Sequence, residues 1–378
     1  MRSNLLTNII LVALVIALGS PAFAFAGPTT PVNNPIFTNV STLAGTGMHG
    51  AQNGTQAQFN LPAGIFGTGD TIYIADTYNN LIRSITPGGT TSRFAGDILA
   101  FDELGFPAGF LRDGYLYQAL FNRPTDGIAL EDGRILVVDS ANHSIRLIDG
   151  ANTYTFAGGA RAGMANGPAE SALFNHPSAI ALDIHGNLFV ADTLNHVIRQ
   201  ISYDGTVTTI AGMPGLAGFR DGYTYEARFH SPMGLAVSAD GTQIYVADTG
   251  NHLIRVIEDG EVSTLAGNLQ FLYTDDNDDR ANLATGGFAN GDGDSARFNL
   301  PKGIALLGDT LIVADYANHK LRTVQPCGET STLAGTGYPG YINGSTDVAE
   351  FHFPSGVFVR GSDVFVADTG NNVIRQVR

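Results

Sequence analysis

Residues 247–255 read ADTGNHLIR, and the chain spells nearly the same nine residues six times. The other copies are ADTYNNLIR, VDSANHSIR, ADTLNHVIR, ADYANHKLR and ADTGNNVIR. Each copy has an aspartate at its second position, and these aspartates are Asp76, Asp139, Asp192, Asp248, Asp315 and Asp368. A unit of about fifty residues that recurs with insertions is typical of a repeat architecture, in which each unit is one supersecondary element.

Two further signatures complete each unit. A motif of an aromatic residue, two polar or apolar residues and a proline precedes every aspartate, starting at Phe59, Phe121, Phe174, Phe229, Phe298 and Phe351. A threonine-rich run ending in Ala-Gly follows five aspartates and closes at Gly96, Gly158, Gly212, Gly267 and Gly335. The unit therefore predicts four antiparallel strands: one after the proline, one ending in Asp, one through the arginine, and an outer one ending in Gly.

The two ends of the chain predict how the array closes. The sixth unit stops at Arg378, after its third strand, whereas residues 39–45 (NVSTLAG) form an outer strand that precedes the first complete unit. Pairing of this segment with the last unit would cover the exposed strand edges. We therefore predict one all-β domain over residues 39–378, a closed ring of six four-stranded sheets.

Small residues near the start of each inner strand support the ring, because radially arranged sheets crowd at their axis. We assign this position to Gly64, Gly127, Ala179, Gly234, Gly303 and Gly356.

The N-terminus reads as an export signal. Arg2 precedes ten apolar residues at 9–18, and small-residue cleavage patterns follow at 22–24 and 24–26. Ten residues are too few to cross a bilayer, which takes about twenty. We expect a signal peptide over residues 1–26 and a short segment over 27–38, and hence a secreted or periplasmic protein with no membrane span after cleavage; an uncleaved anchor is the alternative.

Charge narrows the range of partners. The chain has 20 Lys and Arg against 35 Asp and Glu, a net charge of −15. Nucleic acid is excluded as a partner, because its binding depends on Lys and Arg at phosphates. Cationic ligands, divalent metals and basic proteins are favoured.

The repeated turn resembles the NHL repeat, whose Asn-His-Leu stands verbatim at Asn251, His252 and Leu253. The resemblance covers the chain from about residue 39 onward and implies a six-bladed β-propeller, which agrees with the closure by the N-terminal strand predicted above. Relatives of this kind include extracytoplasmic sensor and adhesion modules, RNA-binding propellers and a zinc-dependent peptide-amidating lyase, so the fold does not choose a function.

Residues that recur in every blade are expected to serve the scaffold. We predict that the six aspartates accept hydrogen bonds from backbone N–H groups of the following turn. We predict left-handed geometry for Asn79, Asn142, Asn195, Asn251, Asn318 and Asn371. Pairing with an aspartate of the same or the adjacent blade is expected of Arg83, Arg146, Arg199, Arg255, Arg322 and Arg375.

The histidines form two groups. Those of the repeated turn are expected to pack or hydrogen-bond at a blade edge: His143, His196, His252 and His319. His176, His230 and His352 come just before the proline, near the predicted channel mouth, and are the candidate metal ligands.

The resemblance to the lyase gives a sharper test. In that enzyme the zinc histidines directly follow the proline, whereas this chain has Ala63, Thr125, Ser178, Met233, Lys302 and Ser355 there. The amidating-lyase activity is therefore excluded, and the sequence favours binding over catalysis. Either a water-filled channel or a small-ligand site is expected at the mouth, the site being lined by Thr125, Asp126, Ser178, Met233, Lys302 and Ser355.

Two long connections, residues 97–120 and 268–297, are expected to project beside one face of the ring. Their aromatic residues available for contact are Phe101, Phe106, Phe110, Tyr115, Phe271 and Tyr273. In the second connection Asp275, Asn277 and Asp279 have the spacing of a calcium loop, but Arg280 and Gly286 replace the required glycine and glutamate. A solvated loop is the favoured interpretation.

The sequence therefore predicts a monomeric binding module that recognises a protein, peptide or glycan through its loop-rich face, without a cofactor. The alternative is an extracytoplasmic metal-dependent hydrolase or lyase with one divalent cation, Ca²⁺ or Zn²⁺, at the channel mouth.

Overall fold

The computed structural model describes residues 36–269 and 284–378. Within these residues the chain forms six antiparallel β-sheets, one for each repeat. They are the blades of a six-bladed β-propeller, which confirms the predicted all-β ring. The predicted signal peptide, the acidic run at 275–279 and the aromatic residues Phe271 and Tyr273 lie outside the described residues.

The strands follow the predicted order from the axis outward. The chain opens with β1 (Asn39–Ala44) and continues into the first blade with β2 (Ile65–Thr68), β3 (Thr71–Asp76), β4 (Leu81–Ile85) and β5 (Thr91–Ala95). The second blade consists of β6 (Gly114–Tyr115), β7 (Pro124–Ala129), β8 (Ile135–Asp139), β9 (Ser144–Asp149) and β10 (Asn152–Gly158). The third consists of β11 (Gly167–Pro168), β12 (Pro177–Leu182), β13 (Leu188–Asp192), β14 (Val197–Ile201) and β15 (Thr206–Ala211).

The second half repeats this pattern. The fourth blade consists of β16 (Gly222–Tyr223), β17 (Gly234–Val237), β18 (Ile244–Asp248), β19 (Leu253–Glu258) and β20 (Glu261–Ala266). The fifth consists of β21 (Pro301–Leu307), β22 (Thr310–Asp315), β23 (Lys320–Val324) and β24 (Thr330–Ala334). The sixth contains β25 (Gly344–Ser345), β26 (Pro354–Arg360), β27 (Asp363–Asp368) and β28 (Val373–Val377).

The N-terminal strand closes the ring, as predicted. β1 pairs antiparallel with β28, with Val40 opposite Val377 and Thr42 opposite Arg375. The backbones of Asn39 and Arg378 exchange two hydrogen bonds, of 2.9 and 3.0 Å. The last blade therefore takes its outer strand from the opposite end of the chain, and the edge of β28 is covered.

Four blades have a fifth strand that the sequence pattern did not predict. β6, β11, β16 and β25 each pair with the outer strand of their blade, and each has only two residues. In the first and fifth blades isolated bridges take the same place, between Gly54 and Thr91 and between Gly291 and Thr330. The connection between blades thus runs along the outer edge of the next sheet. Two residues are too few to show the alternating pattern by which a strand is recognised in a sequence, so these strands were not predicted.

The crowding at the axis is as expected, but one assignment is wrong. A side chain on Gly64 would collide with the backbone of Thr125 and Asp126, and one on Gly356 with that of Ala63. In the second blade, however, Asp126 lies opposite Val138, the register that Ala179 and Gly234 have in their blades. Gly127 lies one residue further along, because this blade has an extra residue after its proline. Asp126 therefore takes the small-residue position.

The core lies between consecutive blades. One apolar cluster joins Phe59 and Ile72 of the first blade to Phe365 and Ala367 of the sixth. The aromatic residue of each repeated motif is fully buried: Phe59, Phe121, Phe174, Phe229, Phe298 and Phe351. Burying one such side chain stabilises the fold by about 1.5–3 kcal/mol. The motif therefore anchors the connection that precedes each inner strand in the core between two blades.

Candidate functional site

One face of the ring, which we call the upper face, contains the repeated turns and the connections between blades. Short 3-10 helices follow the six aspartates there: Thr77–Asn79, Ser140–Asn142, Thr193–Asn195, Thr249–Asn251, Tyr316–Asn318 and Thr369–Asn371. Because the strands are antiparallel, the prolines that open the inner strands and the connections that leave the outer strands lie at this same face. The lower face has only the tight turns.

A buried ion pair lies beneath each 3-10 helix. Arg83 Nη1 is 2.7 Å from Asp76 Oδ2, and both side chains are fully buried. The guanidinium group also lies 5.2 Å from the centroid of the Phe59 ring. The other five blades repeat the pair within the same blade at 2.7–2.8 Å, so the arginine pairs inside its own blade.

The partners of the aspartates differ from the prediction. Asp76 Oδ1 accepts a hydrogen bond of 2.8 Å from the backbone N–H of Asn60, which precedes the inner strand. Asp76 Oδ2 accepts one of 2.8 Å from the Asn79 side chain. No aspartate caps its 3-10 helix through a side-chain hydrogen bond, so the predicted bonds to the following turn are wrong.

This network has a further member that was not predicted from the sequence. Arg83 Nη2 donates to Asn53 Oδ1 at 2.9 Å, and Arg146 Nη2 lies 2.8 Å from Asp113 Oδ1. An Asn or Asp followed by Gly supplies this acceptor in every repeat: Asn53, Asp113, Asn166, Asp221, Asn290 and Asn343. The recurrence of that dipeptide before each aromatic motif was the available signal.

The left-handed residue of each turn is one position later than predicted. It is the residue after the 3-10 helix, with φ between 52° and 59°: Asn80, His143, His196, His252, His319 and Asn372. The preceding asparagines instead donate to the aspartates.

These left-handed residues connect each blade to the next. His143 Nδ1 accepts a hydrogen bond of 3.1 Å from the backbone N–H of His176 in the third blade. Asn372 Oδ1 accepts one of 2.8 Å from Leu61 and so connects the sixth blade to the first. All six blade boundaries have this contact, at 2.7–3.1 Å, and we call it the inter-blade latch.

The candidate metal ligands lie at separate blade boundaries. The His176 ring lies 4.5 Å from that of His143, the His230 ring 5.9 Å from that of His196, and His352 5.7 Å from His319. Among residues 36–269 and 284–378, no group of three or more His, Cys, Asp or Glu side chains is arranged to hold a metal. The structure therefore does not bring His176, His230 and His352 together.

Several predicted lining residues of the channel mouth are bonded to the scaffold. Thr125 Oγ1 donates to the Ser178 carbonyl at 2.9 Å, and Ser178 Oγ lies 2.6 Å from Thr193 Oγ1. Ser355 Oγ donates to the Ala63 carbonyl at 2.9 Å. Met233 is half-buried, and its backbone N–H donates to Ala247. The Thr125 and Ser355 hydroxyl groups thus connect neighbouring blades, whereas the Ser178–Thr193 contact lies within the third blade.

Asp126 and Lys302 are the ionisable members of this set. Asp126 Oδ2 accepts a hydrogen bond of 3.1 Å from the backbone N–H of Ile180, and burial raises the pKa of Asp126 to about 7. Lys302 Nζ lies 3.5 Å from the centroid of the Tyr316 ring, and burial lowers the pKa of Lys302 to about 8. These two groups can change charge near neutral pH.

The fifth blade departs from the repeat at Tyr316. Four other 3-10 helices begin with Thr and one with Ser. Thr249 shows the usual role, because its hydroxyl donates to the Pro301 carbonyl of the next blade at 2.6 Å. Tyr316 instead stacks on Phe353, with ring centroids 4.8 Å apart, and lies under the Lys302 ammonium.

The first long connection projects less than predicted. Its second part is the segment that runs along the outer edge of the sheet, which the other blades also have. There the backbone N–H groups of Phe110 and Arg112 donate to the carbonyls of Phe121 and Leu120. Tyr115 lies in β6 on the outer edge of the second blade and not on the upper face. The projecting part is residues 98–108, where Leu104 is 81% exposed and Phe101 65%, and where Phe106 packs edge-on against Tyr78.

Comparisons with known proteins agree with this architecture. The family model of the Teneurin NHL domain matches residues 126–258. NHL repeat-containing protein 2 of Homo sapiens is 27% identical over 340 residues, which cover 81% of this chain and 44% of that protein. Protein SUPPRESSOR OF QUENCHING 1, chloroplastic, of Arabidopsis thaliana is 28% identical over 280 residues, 70% of this chain and 26% of that protein. The chain spans less than half the length of these relatives.

Solved structures share the fold. An auxiliary nutrient binding protein from Bacteroides ovatus superposes with a TM-score of 0.63 at 15% identity, over 91% of this chain and 77% of that one. A structural genomics protein of unknown function from Bacteroides thetaiotaomicron gives 0.63 at 18% identity, over 90% and 75%. The repeated turn and these sequence matches thus make the chain similar to NHL-repeat proteins, and its own fold is a six-bladed β-propeller.

Proposed function

We propose that this propeller is a secreted or periplasmic binding module, which holds a protein, peptide or glycan on its upper face as a monomer. The observation that supports this most directly is where the repeat is broken. The ion pairs and latches recur in all six blades, whereas Asp126, Lys302, Tyr316 and the insertion at 98–108 each occur in one. A rigid scaffold with variable loops on one face is the usual arrangement of a binding surface.

The exposed side chains of the upper face suit such a ligand. Phe101, Leu104 and Phe110 project from or beside the insertion with exposed fractions between 46% and 81%. Exposed apolar groups close together on a surface are typical of interaction sites. An auxiliary nutrient binding protein from Bacteroides ovatus has this fold at 15% identity, so the fold itself is compatible with a binding role.

Binding is favoured over catalysis by the bonding of the repeated charged groups. Each repeated aspartate and arginine is bonded within its own blade, so these groups serve the scaffold.

Within the part of the chain that the structure describes, no helix is long and apolar enough to cross a membrane.

The experiment is a screen of glycan and peptide arrays with wild-type protein and two double variants. Phe101→Glu/Phe106→Glu places charge on the upper face, whereas Ile184→Glu/Tyr203→Glu does so at exposed positions in the turns of the lower face. We expect the first variant to lose at least tenfold in affinity for the selected ligand, because charged side chains replace apolar contacts, and the second to bind as wild type.

The opposite pattern, with binding lost only in the lower-face variant, would refute the proposal. So would a full equivalent of zinc or calcium in protein purified without chelators that disappears in a His176→Ala or His230→Ala variant, because that result would support the hydrolase or lyase alternative.

A further inference from the structure

A pocket of about 280 Å³ opens on the upper face above the fifth blade. It lies between the connection that enters this blade, with Phe288, and the connection that leaves it, with Thr336, Gly337 and Tyr338. The side chain of Lys320 also lines it. This volume lies just below the range of about 300–1,000 Å³ that is usual for small-molecule sites.

Lys320 is a departure from the repeat. It is the first residue of β23, and the third strands of the other blades begin with uncharged residues: Leu81, Ser144, Val197, Leu253 and Val373. The lysine is nevertheless only 9% exposed. A charge has therefore replaced an uncharged side chain at a position that the fold buries.

Within the described residues, the direct contacts of the Lys320 ammonium group are to neutral groups. Lys320 Nζ donates to the Gly335 carbonyl at 2.7 Å and lies 4.7 Å from the centroid of the Phe288 ring. No carboxylate in the described ranges forms an ion pair with Lys320, because the nearby Asp315 pairs with Arg322. Burial and the charge of Arg322 lower the pKa of Lys320, and the Asp315 carboxylate opposes them in part. An ammonium has three N–H donors, and a neutral carbonyl does not neutralise it.

The backbone nearby makes room for this group. A methyl group added at Gly337 would lie 2.9 Å from Lys320 Cε and 3.3 Å from Nζ, and Gly337 has a φ of +94°. A side chain at that position would therefore press on the ammonium and strain the backbone. The same Thr-Gly pair follows β1 in the sixth blade, where Gly47 has a φ of +86° and the third strand begins with Val373, so this glycine belongs to the repeat and leaves room for the lysine in the fifth blade.

The remaining walls are aromatic and polar. Phe288 is 47% exposed and Tyr338 74% exposed, so both rings present open surface beside the ammonium. Thr336 Oγ1 accepts a hydrogen bond of 3.2 Å from the Tyr338 backbone, and its own O–H remains able to donate. A cation at the base, a hydroxyl donor and two aromatic rings are complementary to an anion that has a flat apolar group.

We propose that this pocket binds an aromatic carboxylate, either a free acid or the C-terminal residue of a peptide. The carboxylate pairs with Lys320 Nζ in a charge-assisted hydrogen bond, and the ring packs against Phe288 and Tyr338. The net charge of −15 repels anions at a distance, but salt screens this repulsion beyond about 8 Å at physiological ionic strength. Contact inside the pocket therefore decides the affinity.

The inference rests on the proposed function, since it assigns a ligand chemistry to one part of the upper face. It is tested directly with phenylacetate and its neutral analogue phenylacetamide, titrated calorimetrically into the wild-type protein. We expect saturable binding of phenylacetate and at least tenfold weaker binding of phenylacetamide. Peptides ending in phenylalanine, with a free or an amidated C-terminus, then distinguish a peptide from a free acid as the source of the carboxylate.

Lys320→Leu is the decisive variant, because the first and fourth blades have leucine at this position. We expect it to lose at least tenfold in phenylacetate affinity while its midpoint of urea unfolding stays equal to wild type or rises. Arg134→Leu removes the same charge from a turn of the lower face and should leave phenylacetate binding unchanged.

Absence of saturable phenylacetate binding to wild-type protein would overturn the inference, as would equal binding by Lys320→Leu. Neither result depends on the array ligand. Conversely, Phe101→Glu/Phe106→Glu should retain phenylacetate binding, so failure of the pocket and failure of the proposed face are distinguishable.

Discussion

Each repeated arginine is a large, fully buried cation whose Nη groups are bonded inside one blade, while its buried Nε–H has no hydrogen-bond partner among the described residues. Arg199 bonds Asp192, the backbone carbonyls of Leu173 and Ala165, and Asn166 Oδ1, and its guanidinium lies over Phe174. A buried pair of this kind contributes little net stability compared with apolar residues, yet removing one partner is costly because the other charge is left unpaired. The network therefore fixes the geometry of the blade.

We therefore expect the stability effects of substituting the arginine and the aspartate of one pair to be strongly coupled. Arg199→Met should lower the free energy of unfolding by about 3–5 kcal/mol, because it leaves the Asp192 carboxylate buried without its cation. The double variant Arg199→Met/Asp192→Asn should lose clearly less, since asparagine still accepts the Asn175 N–H. Urea unfolding of these two variants and of the single variant Asp192→Asn measures the coupling.

Arg134→Met is the matched control, because Arg134 pairs with the half-exposed carboxylate of Asp132. Its cost should stay within about 1 kcal/mol. Purely additive losses at Arg199 and Asp192 would contradict the network interpretation.

The turns connect the blades into a ring, and four of the six latches use histidine. Each histidine accepts its hydrogen bond through Nδ1, which is possible only while that nitrogen is unprotonated. Burial lowers the pKa of His143, His196, His252 and His319. A neighbouring imidazole lowers each of these pKa values further. His176 acts on His143, and His352 acts on His319. His230 acts on both His196 and His252, and Arg297 also lowers the pKa of His252.

The sign of the resulting pH dependence follows from linkage. An unfolded histidine titrates near pH 6.5 and the folded one below it, so the unfolded state binds more protons in between. The stability that the latches contribute is complete above pH 6.5 and falls as the pH drops through the lowered pKa values. Burial raises the pKa of Asp126 to about 7, so its contribution to the stability of the fold has the opposite sign. That contribution is lost as the pH rises through this value.

We therefore predict that replacing all four latch histidines by asparagine reduces the loss of stability between pH 7.5 and pH 5.5. Asparagine is the residue that the first and sixth blades use, where Asn80 and Asn372 accept the same hydrogen bond. Urea unfolding at both pH values measures this, and Asp126 is unchanged in the comparison. An identical pH dependence in the two proteins would show that the latches do not titrate.

The whole molecule depends on closure of the ring by β1. Val40 is fully buried in an apolar cluster with Val366 and Val377, and β1 covers the edge of β28. An uncovered edge strand is a template for pairing with other chains.

A chain that starts at residue 46 should therefore aggregate or unfold cooperatively at a much lower temperature than one that starts at residue 36 and keeps β1. The expected loss is comparable with the whole stability of a typical domain, about 5–15 kcal/mol. Size-exclusion chromatography and thermal unfolding of the two chains measure it. Equal stability would mean that the ring holds without its N-terminal strand.

The periodic spacing in the sequence by itself determined the number of blades, the order of the strands and the closure. Each blade repeats one pattern of hydrophobic and turn residues, and residues 39–45 carry the outer-strand pattern that pairs with the last unit. The buried aspartates and arginines were recognisable for the same reason, since a residue repeated in all six units serves what the units share.

Only the tertiary structure decided which groups meet across blade boundaries. The position of Asp126 at the axis depends on the register against β8. The role of His143 depends on the backbone N–H of His176 in the next blade, and the pocket at Lys320 depends on two separate connections. These contacts join segments from different repeats, and no local pattern of side chains specifies them, because they arise when the packing of one sheet against the next sets the distances.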